Sequence, residues 1–123
     1  MNARNAYVTS SVQTASPSRL LVMLVERLAR DVEQAAAAQE AGDHATASVQ
    51  LLHAQEIVIE LLTSLRPDVW DGAGRLGSIY GWLHKELVRA NITRDATVTR
   101  DCQRLIDPLV DTWRQAALVA VAG

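Results

Sequence analysis

The chain has 123 residues, of which 49% are hydrophobic and 21% charged, and its formal net charge is −2. This length fits one domain that buries its own core, and the composition is that of a folded globular protein. The slightly acidic balance argues against a nucleic-acid-binding protein, since such proteins need a basic face. Apolar runs such as residues 20–25 are short, whereas a membrane-spanning helix needs about 20 apolar residues.

The cysteine content and the N-terminal residues indicate a compartment. Cys102 is the single cysteine, so an internal disulfide is impossible and a reducing environment fits. The N-terminal residues contain no apolar stretch of the kind found in secretory signals. We therefore expect a cytoplasmic protein that does not insert into membranes.

The first segment, residues 1–16, is polar and lacks helical periodicity, which predicts a flexible N-terminal arm. Ser16 followed by Pro17 predicts a helix start, because serine caps the first amides and proline lacks the amide that would be unsatisfied there. The first helix should therefore run from 17 to about 40. The few apolar side chains of the arm are Tyr7, Val8 and Val12.

A second helix is predicted from about 44 to 65. Gly42 can end the first helix in the left-handed conformation, and Asp43 can cap the second. Pro67 stops the second helix, and the glycines and aspartates that follow predict a connection over 66–74.

Two further helices complete the chain. The third should run from about 73 to 90, with Asn91 as its C-cap. Thr93 or Asp95 should cap the fourth, which runs to about residue 119. Pro108 lies inside this last helix and should bend it, because proline removes one backbone hydrogen bond.

These elements predict an all-α protein. No useful length of sequence alternates between apolar and polar residues as a strand would. Four helices with short links favour an antiparallel four-helix bundle over residues 17–119, followed by a short tail at 120–123.

Two of the helices each show one apolar stripe suited to the core. The stripe of the fourth helix contains Cys102, which predicts a buried, unreactive thiol. On the first helix the stripe is Leu21, Leu24, Leu28, Val32 and Ala35. On the fourth it is Val98, Cys102, Leu105, Leu109, Trp113 and Ala116.

The second helix carries more apolar surface than one stripe requires. Its apolar residues cover an arc of roughly 220°, whereas one core-facing stripe needs little more than 100°. Either two bundle neighbours and the arm bury it, or it forms a groove for the apolar helix of a partner. The candidate groove residues are Leu52, Ile57, Ile59 and Leu61.

The third helix has a comparable anomaly. Trp82 lies about 100° from the centre of its core stripe. Gly77 and Gly81 form a smooth strip on another flank, although glycine costs a helix roughly 1 kcal/mol relative to alanine. The strip either packs closely against a bundle neighbour or admits a partner helix beside Trp82. The core stripe is Leu76, Ile79, Leu83 and Leu87.

Signals of catalysis or metal binding are weak. His53, Glu56 and Glu60 have a spacing that suits metal ligands in bundles, but all three fall on the polar arc of the second helix. Tyr80 and His84, one turn apart, are interpreted as a structural pair rather than a catalytic one. No phosphate-binding loop or nucleophile motif is present, so we expect no enzyme activity and no metal or other cofactor.

Three segments, in order and in register, resemble the FliS family of flagellin-specific export chaperones. Residues 12–17, Val-Gln-Thr-Ala-Ser-Pro, resemble the entry to the family's first helix. Residues 78–83, Ser-Ile-Tyr-Gly-Trp-Leu, with Ala-Asn at 90–91, resemble its Leu-Tyr-x-Tyr-Met stretch ending in Ala-Asn. Residues 111–116, Asp-Thr-Trp-Arg-Gln-Ala, are similar to its C-terminal signature.

The resemblance implies a chaperone that binds the C-terminal segment of flagellin in the cytoplasm, prevents premature polymerisation and helps deliver it to the flagellar export apparatus. A helical dimerisation or adaptor module without this client, in which the apolar surface pairs with a second copy, remains the alternative. A small metal-dependent bundle enzyme is a third class. The residues expected to contact the client are Tyr7, Gln13, Leu52, Ile57, Ile59, Leu61, Gly77, Tyr80, Gly81, Trp82 and Asn91.

Overall fold

The computed structural model describes residues 16–65 and 72–122, and this part of the chain is helical and contains no strand. The helices are α1 (Pro17–Glu40), α2 (His44–Thr63), α3 (Ala73–Thr93) and α4 (Ala96–Ala122). The predicted all-α class is confirmed. The predictions for Tyr7 and Gln13 in the arm, and for most of the connection after α2, lie outside the described residues.

The start of α1 and the turn into α2 follow the predicted caps. The Ser16 hydroxyl accepts a hydrogen bond from the Arg19 amide at 3.2 Å, and proline occupies the first turn. Gly42 adopts a left-handed conformation with φ +79°, which glycine reaches without a steric cost. The Asp43 carboxylate then accepts from the Thr46 amide at 3.2 Å.

The other helix ends differ from the predictions, except for the cap of α4 at Asp95. α2 ends at Thr63, two residues early, and α4 continues to Ala122 because the alanines near its end favour helix. Asn91 is not a C-cap but lies inside α3, whose C-cap is Arg94 with φ 57°. Asp95 caps α4 by accepting from the Thr97 amide at 2.9 Å, so the chain turns between helices at Arg94.

The four helices pack in a ring, each against its two neighbours, with α4 returning to α1. Ion pairs show that α1 and α4 are antiparallel. Arg100, near the start of α4, pairs with Glu33 and Glu40 in the second half of α1, whereas Arg114 pairs with Glu26 in the first half. The α1–α4 contact is the most extensive and the α3–α4 contact the least.

This unequal packing sets which residues of α4 are buried. Compared with the predicted core stripe, the buried face of α4 is turned toward α1. Thr99 and Gln103 lie on this face, and their side chains hydrogen-bond to α1. Ile106 and Val110 are therefore buried, while Leu105 lies half-buried on the α3 side and the predicted core residue Ala116 is exposed. The other predicted stripe residues of α4 are Val98 and Cys102, which are buried, and Leu109 and Trp113, which are partly buried.

Two polar groupings lie within the bundle. The Gln39 amide donates to the Ala90 carbonyl at 3.1 Å and accepts from the Thr99 hydroxyl at 2.5 Å, linking three helices. Asp31 is buried and bonded to both His53 and Arg27. These bonds satisfy polar groups that would otherwise be costly to bury.

Candidate partner-binding surface

Large apolar side chains remain exposed on one flank of α2. Leu52 is 51% exposed and Ile59 47% exposed, and their seven-residue spacing places them on the same flank. Val49, three residues before Leu52, is also exposed. By contrast, Ile57 at 5% and Leu61 at 1% belong to the core. The predicted excess of apolar surface on this helix is therefore present, but only part of the predicted set forms it.

Gly77 and Gly81 of α3 have different surroundings. A Cβ atom built on Gly77 would lie 3.4 Å from Leu65 Cδ1, so Gly77 packs closely against Leu65, two residues after the end of α2. A Cβ atom on Gly81 would meet nothing within 4 Å, so the surface is open there. Ile92, on the same flank of α3 as Gly81, is exposed. We call the exposed apolar surface of Val49, Leu52, Ile59, Gly81 and Ile92 the α2–α3 face.

Trp82 lies on the opposite flank of α3, not beside the groove of α2 as predicted. It is 46% exposed and lines an open apolar depression with Ser78, Ile79 and, from α4, Leu105. One step along a helix turns the side-chain direction by about 100°, so Gly81 and Trp82 lie on different flanks of α3. We call this second surface the α3–α4 depression.

Tyr80 is a core residue, 1% exposed. Its hydroxyl and the indole nitrogen of Trp113 are both buried and are neighbours, without a hydrogen bond of normal geometry between them. Burial raises the pKa of the Tyr80 hydroxyl, and the adjacent indole opposes the shift. Tyr80 therefore supports the α3–α4 packing in the free bundle and presents no surface to a partner.

Asn91 lies at one end of the α2–α3 face. It lines a polar pocket together with His44 and Ser48 of α2 and with Ile92 and Arg94 at the end of α3. The pocket therefore joins Asn91 to the start of α2, while helical spacing places Leu52 and Ile59 on one flank of α2 and Gly81 with Ile92 on one flank of α3.

Several surface residues were missed by the sequence analysis. Val49 shares the phase of Leu52 and Ile59, so the helical periodicity could have identified it. Leu105 could not have been identified, because its exposure results from the rotation of α4 toward α1. A further apolar pocket, between the start of α1 and the end of α4, was also missed; its apolar lining residues are Val22, Ala117 and Leu118.

The candidate metal ligands do not come together. His53 is held by Asp31, while Glu56 and Glu60 are exposed. No group of three or more metal-binding side chains occurs in residues 16–65 and 72–122. None of the helices described is long and apolar enough to span a membrane.

Fold and surface together define a small four-helix-bundle protein with substantial apolar surface outside its core. The family model for the flagellar protein FliS matches residues 1–120. The flagellar secretion chaperone FliS of Bacillus subtilis is 30% identical over 115 residues, which cover 94% of this chain and 86% of that relative. The chain belongs to the FliS family, as the three motifs indicated, and this membership supports a role in flagellar export.

Proposed function

We propose that the protein is a cytoplasmic export chaperone that binds the C-terminal segment of flagellin. It prevents premature polymerisation of this client and helps deliver it to the flagellar export apparatus. Family membership and the name of the Bacillus subtilis relative support the chaperone role. The observation that carries client binding is the α2–α3 face, where apolar side chains lie on the solvent side of a complete core.

The shape of this face suits an amphipathic helix. Val49, Leu52 and Ile59 follow the three- and seven-residue spacings of one helical stripe, so a second helix could lie along them. Gly81 leaves open space in which the backbone of the client could approach α3 closely. A client segment that is disordered when free would fold on this surface and lose ordering entropy as it binds.

Trp82 offers a separate contact. The α3–α4 depression exposes apolar surface of Ile79, Trp82 and Leu105 on the other side of α3. A client segment of a few dozen residues is long enough to contact both surfaces, since an extended chain spans about 3.3 Å per residue. We therefore retain Trp82 as a contact of the client, distinct from the α2–α3 face.

Co-expression with the flagellin of the same genome, followed by size-exclusion chromatography, tests the proposal. We expect a 1:1 complex with full-length flagellin and none with flagellin that lacks its C-terminal segment. A peptide of that segment should gain helix on binding, with a negative heat-capacity change from apolar burial. Equal binding of the truncated flagellin would contradict the assignment of the client segment.

A homodimerising adaptor is the second candidate function. Leu118 and Val119 are exposed near the apolar pocket that includes Val22 and Ala117, so a second copy could cover this end of the bundle. Light scattering across a range of concentrations separates the two candidates. A concentration-dependent dimer that ignores flagellin would favour the adaptor, whereas a monomer that forms a 1:1 complex would favour the chaperone.

A further inference from the structure

The polar pocket at the end of the α2–α3 face lies where α1 passes into α2 and α3 passes into α4. It adjoins the apolar face directly, because Ile92 belongs to both and Ser48 in the pocket is followed by Val49 on the face. The lining residues are Gln39, His44, Ala45, Ala47, Ser48, Asn91, Ile92 and Arg94.

Some polar groups of this pocket are already used by the fold. Gln39 donates to the Ala90 carbonyl and accepts from Thr99, so it forms a fixed wall. Two nearby carboxylates are also engaged. Asp43 accepts two hydrogen bonds from Thr46, which lower the pKa of its carboxyl group, and Asp95 accepts one from the Thr97 amide.

Within residues 16–65 and 72–122, other polar groups of the pocket have no hydrogen-bonding partner. The Nδ1 atom of His44 is buried and forms no hydrogen bond in the structure. Within the described residues, the side chains of Asn91 and Arg94 form no hydrogen bond or ion pair. The Asn91 amide and the Arg94 guanidinium are therefore free to donate hydrogen bonds at the end of the α2–α3 face, and the His44 imidazole lines the same pocket.

The backbone of Arg94 adds an independent observation. Its φ of 57° lies in the left-handed region, which glycine and asparagine adopt far more readily than arginine. A left-handed residue is the ordinary way to end a helix, and glycine or asparagine usually fills it. The turn requires the left-handed conformation, but it does not require a cationic side chain.

We infer that this pocket binds the C-terminal carboxylate of the client helix that lies on the α2–α3 face. The inference rests on the proposed function and deepens it by fixing the direction of the client. Arginine recognises carboxylates with two parallel N–H donors, and Asn91 can donate a third hydrogen bond. The C-terminal end of a helix also carries partial negative charge and unpaired carbonyl groups, which favours its placement beside Arg94. The apolar residues of the client then cover Ile92, Leu52 and Ile59 in turn.

The test compares two peptides of the flagellin C-terminal segment, one with a free terminal carboxylate and one with a terminal amide. Isothermal titration calorimetry should show the amide binding about fivefold more weakly, a modest value because the pair is partly exposed to solvent. The Arg94→Asn variant should remove this difference, since asparagine accepts the left-handed backbone without the charge. Arg94→Lys should retain part of the difference. Arg30→Gln, at an exposed site on α1, is the control and should retain all of it.

The outcomes separate the two proposals. If the free acid and the amide bind the wild-type protein equally, the carboxylate site is wrong while the client assignment stands. A difference that persists in Arg94→Asn would place the carboxylate elsewhere and also overturn the inference. If neither peptide binds, the proposed function itself fails and the inference fails with it.

Discussion

Replacement of Ile59 by aspartate separates client binding from folding. Ile59 is 47% exposed, so the substitution loses only the buried half of its side chain, about 1 kcal/mol of folding free energy. Repulsion from Glu56, one turn earlier, adds a few tenths of a kcal/mol. Leu61→Asp on the same helix is the reference for a core position. It removes a side chain that is 1% exposed and buries a charge, which costs about 5 kcal/mol or more and approaches the whole stability of a small domain.

The loss of client binding is expected to be larger than the loss of stability. A client helix that covers the exposed half of Ile59 removes on the order of 80 Å² of apolar surface from water, which corresponds to about 2 kcal/mol or roughly thirtyfold in Kd. The assay pairs urea denaturation with calorimetric titration of the flagellin peptide. Ala37→Asp, at an exposed site on α1, controls for the added charge: it should cost up to about 1 kcal/mol of stability, through helix propensity and repulsion from Glu33 and Glu40, but leave binding unchanged. If Ile59→Asp destabilises the fold as much as Leu61→Asp, or if it retains full binding, the reasoning about this face is refuted.

Three further predictions concern other positions. Gly81→Ala should raise the free energy of unfolding by about 0.5–1 kcal/mol, because the new Cβ meets nothing and alanine favours helix; urea titration showing a loss would contradict the open space. Thr99→Val should cost about 1–3 kcal/mol in the same measurement, because Gln39 then keeps a buried acceptor without its donor. Burial raises the pKa of the Cys102 thiol to about 12, so at pH 8 the folded protein should not react with a thiol reagent, whereas the urea-unfolded chain should. Rapid labelling of the folded protein would show that α4 opens locally.

Local features of the sequence determined the helices of this protein. Ser16, Gly42 and Asp43 act within one turn of their own positions, so their chemistry specified the start of α1 and the turn into α2 without knowledge of the rest. The four-helix class followed from the same local signals and from the helical spacing of apolar residues. The family could also be recognised from the sequence, because its motifs are short segments that can be compared without a structure.

Tertiary packing decided which apolar residues face solvent. Periodicity showed that α2 is more apolar than one stripe requires. It could not show that Ile57 and Leu61 are buried whereas Leu52 and Ile59 are exposed. That division depends on where α1 and α3 contact α2, which one helix alone does not specify. The placement of Trp82 in the α3–α4 depression has the same origin, since it depends on the rotation of α4 toward α1.

The end of α3 shows the limit of local rules most clearly. Asparagine is favoured at left-handed helix ends, so Asn91 was the reasonable local choice. The helix instead continues through Asn91 to Thr93, and the left-handed residue is Arg94. The reason is the packing of α4. Its cap at Asp95 and the hydrogen bond from Thr99 to Gln39 of α1 fix where this helix begins. The sequence alone thus determined that a turn occurs between α3 and α4, and the contact of α4 with α1 decided its residue.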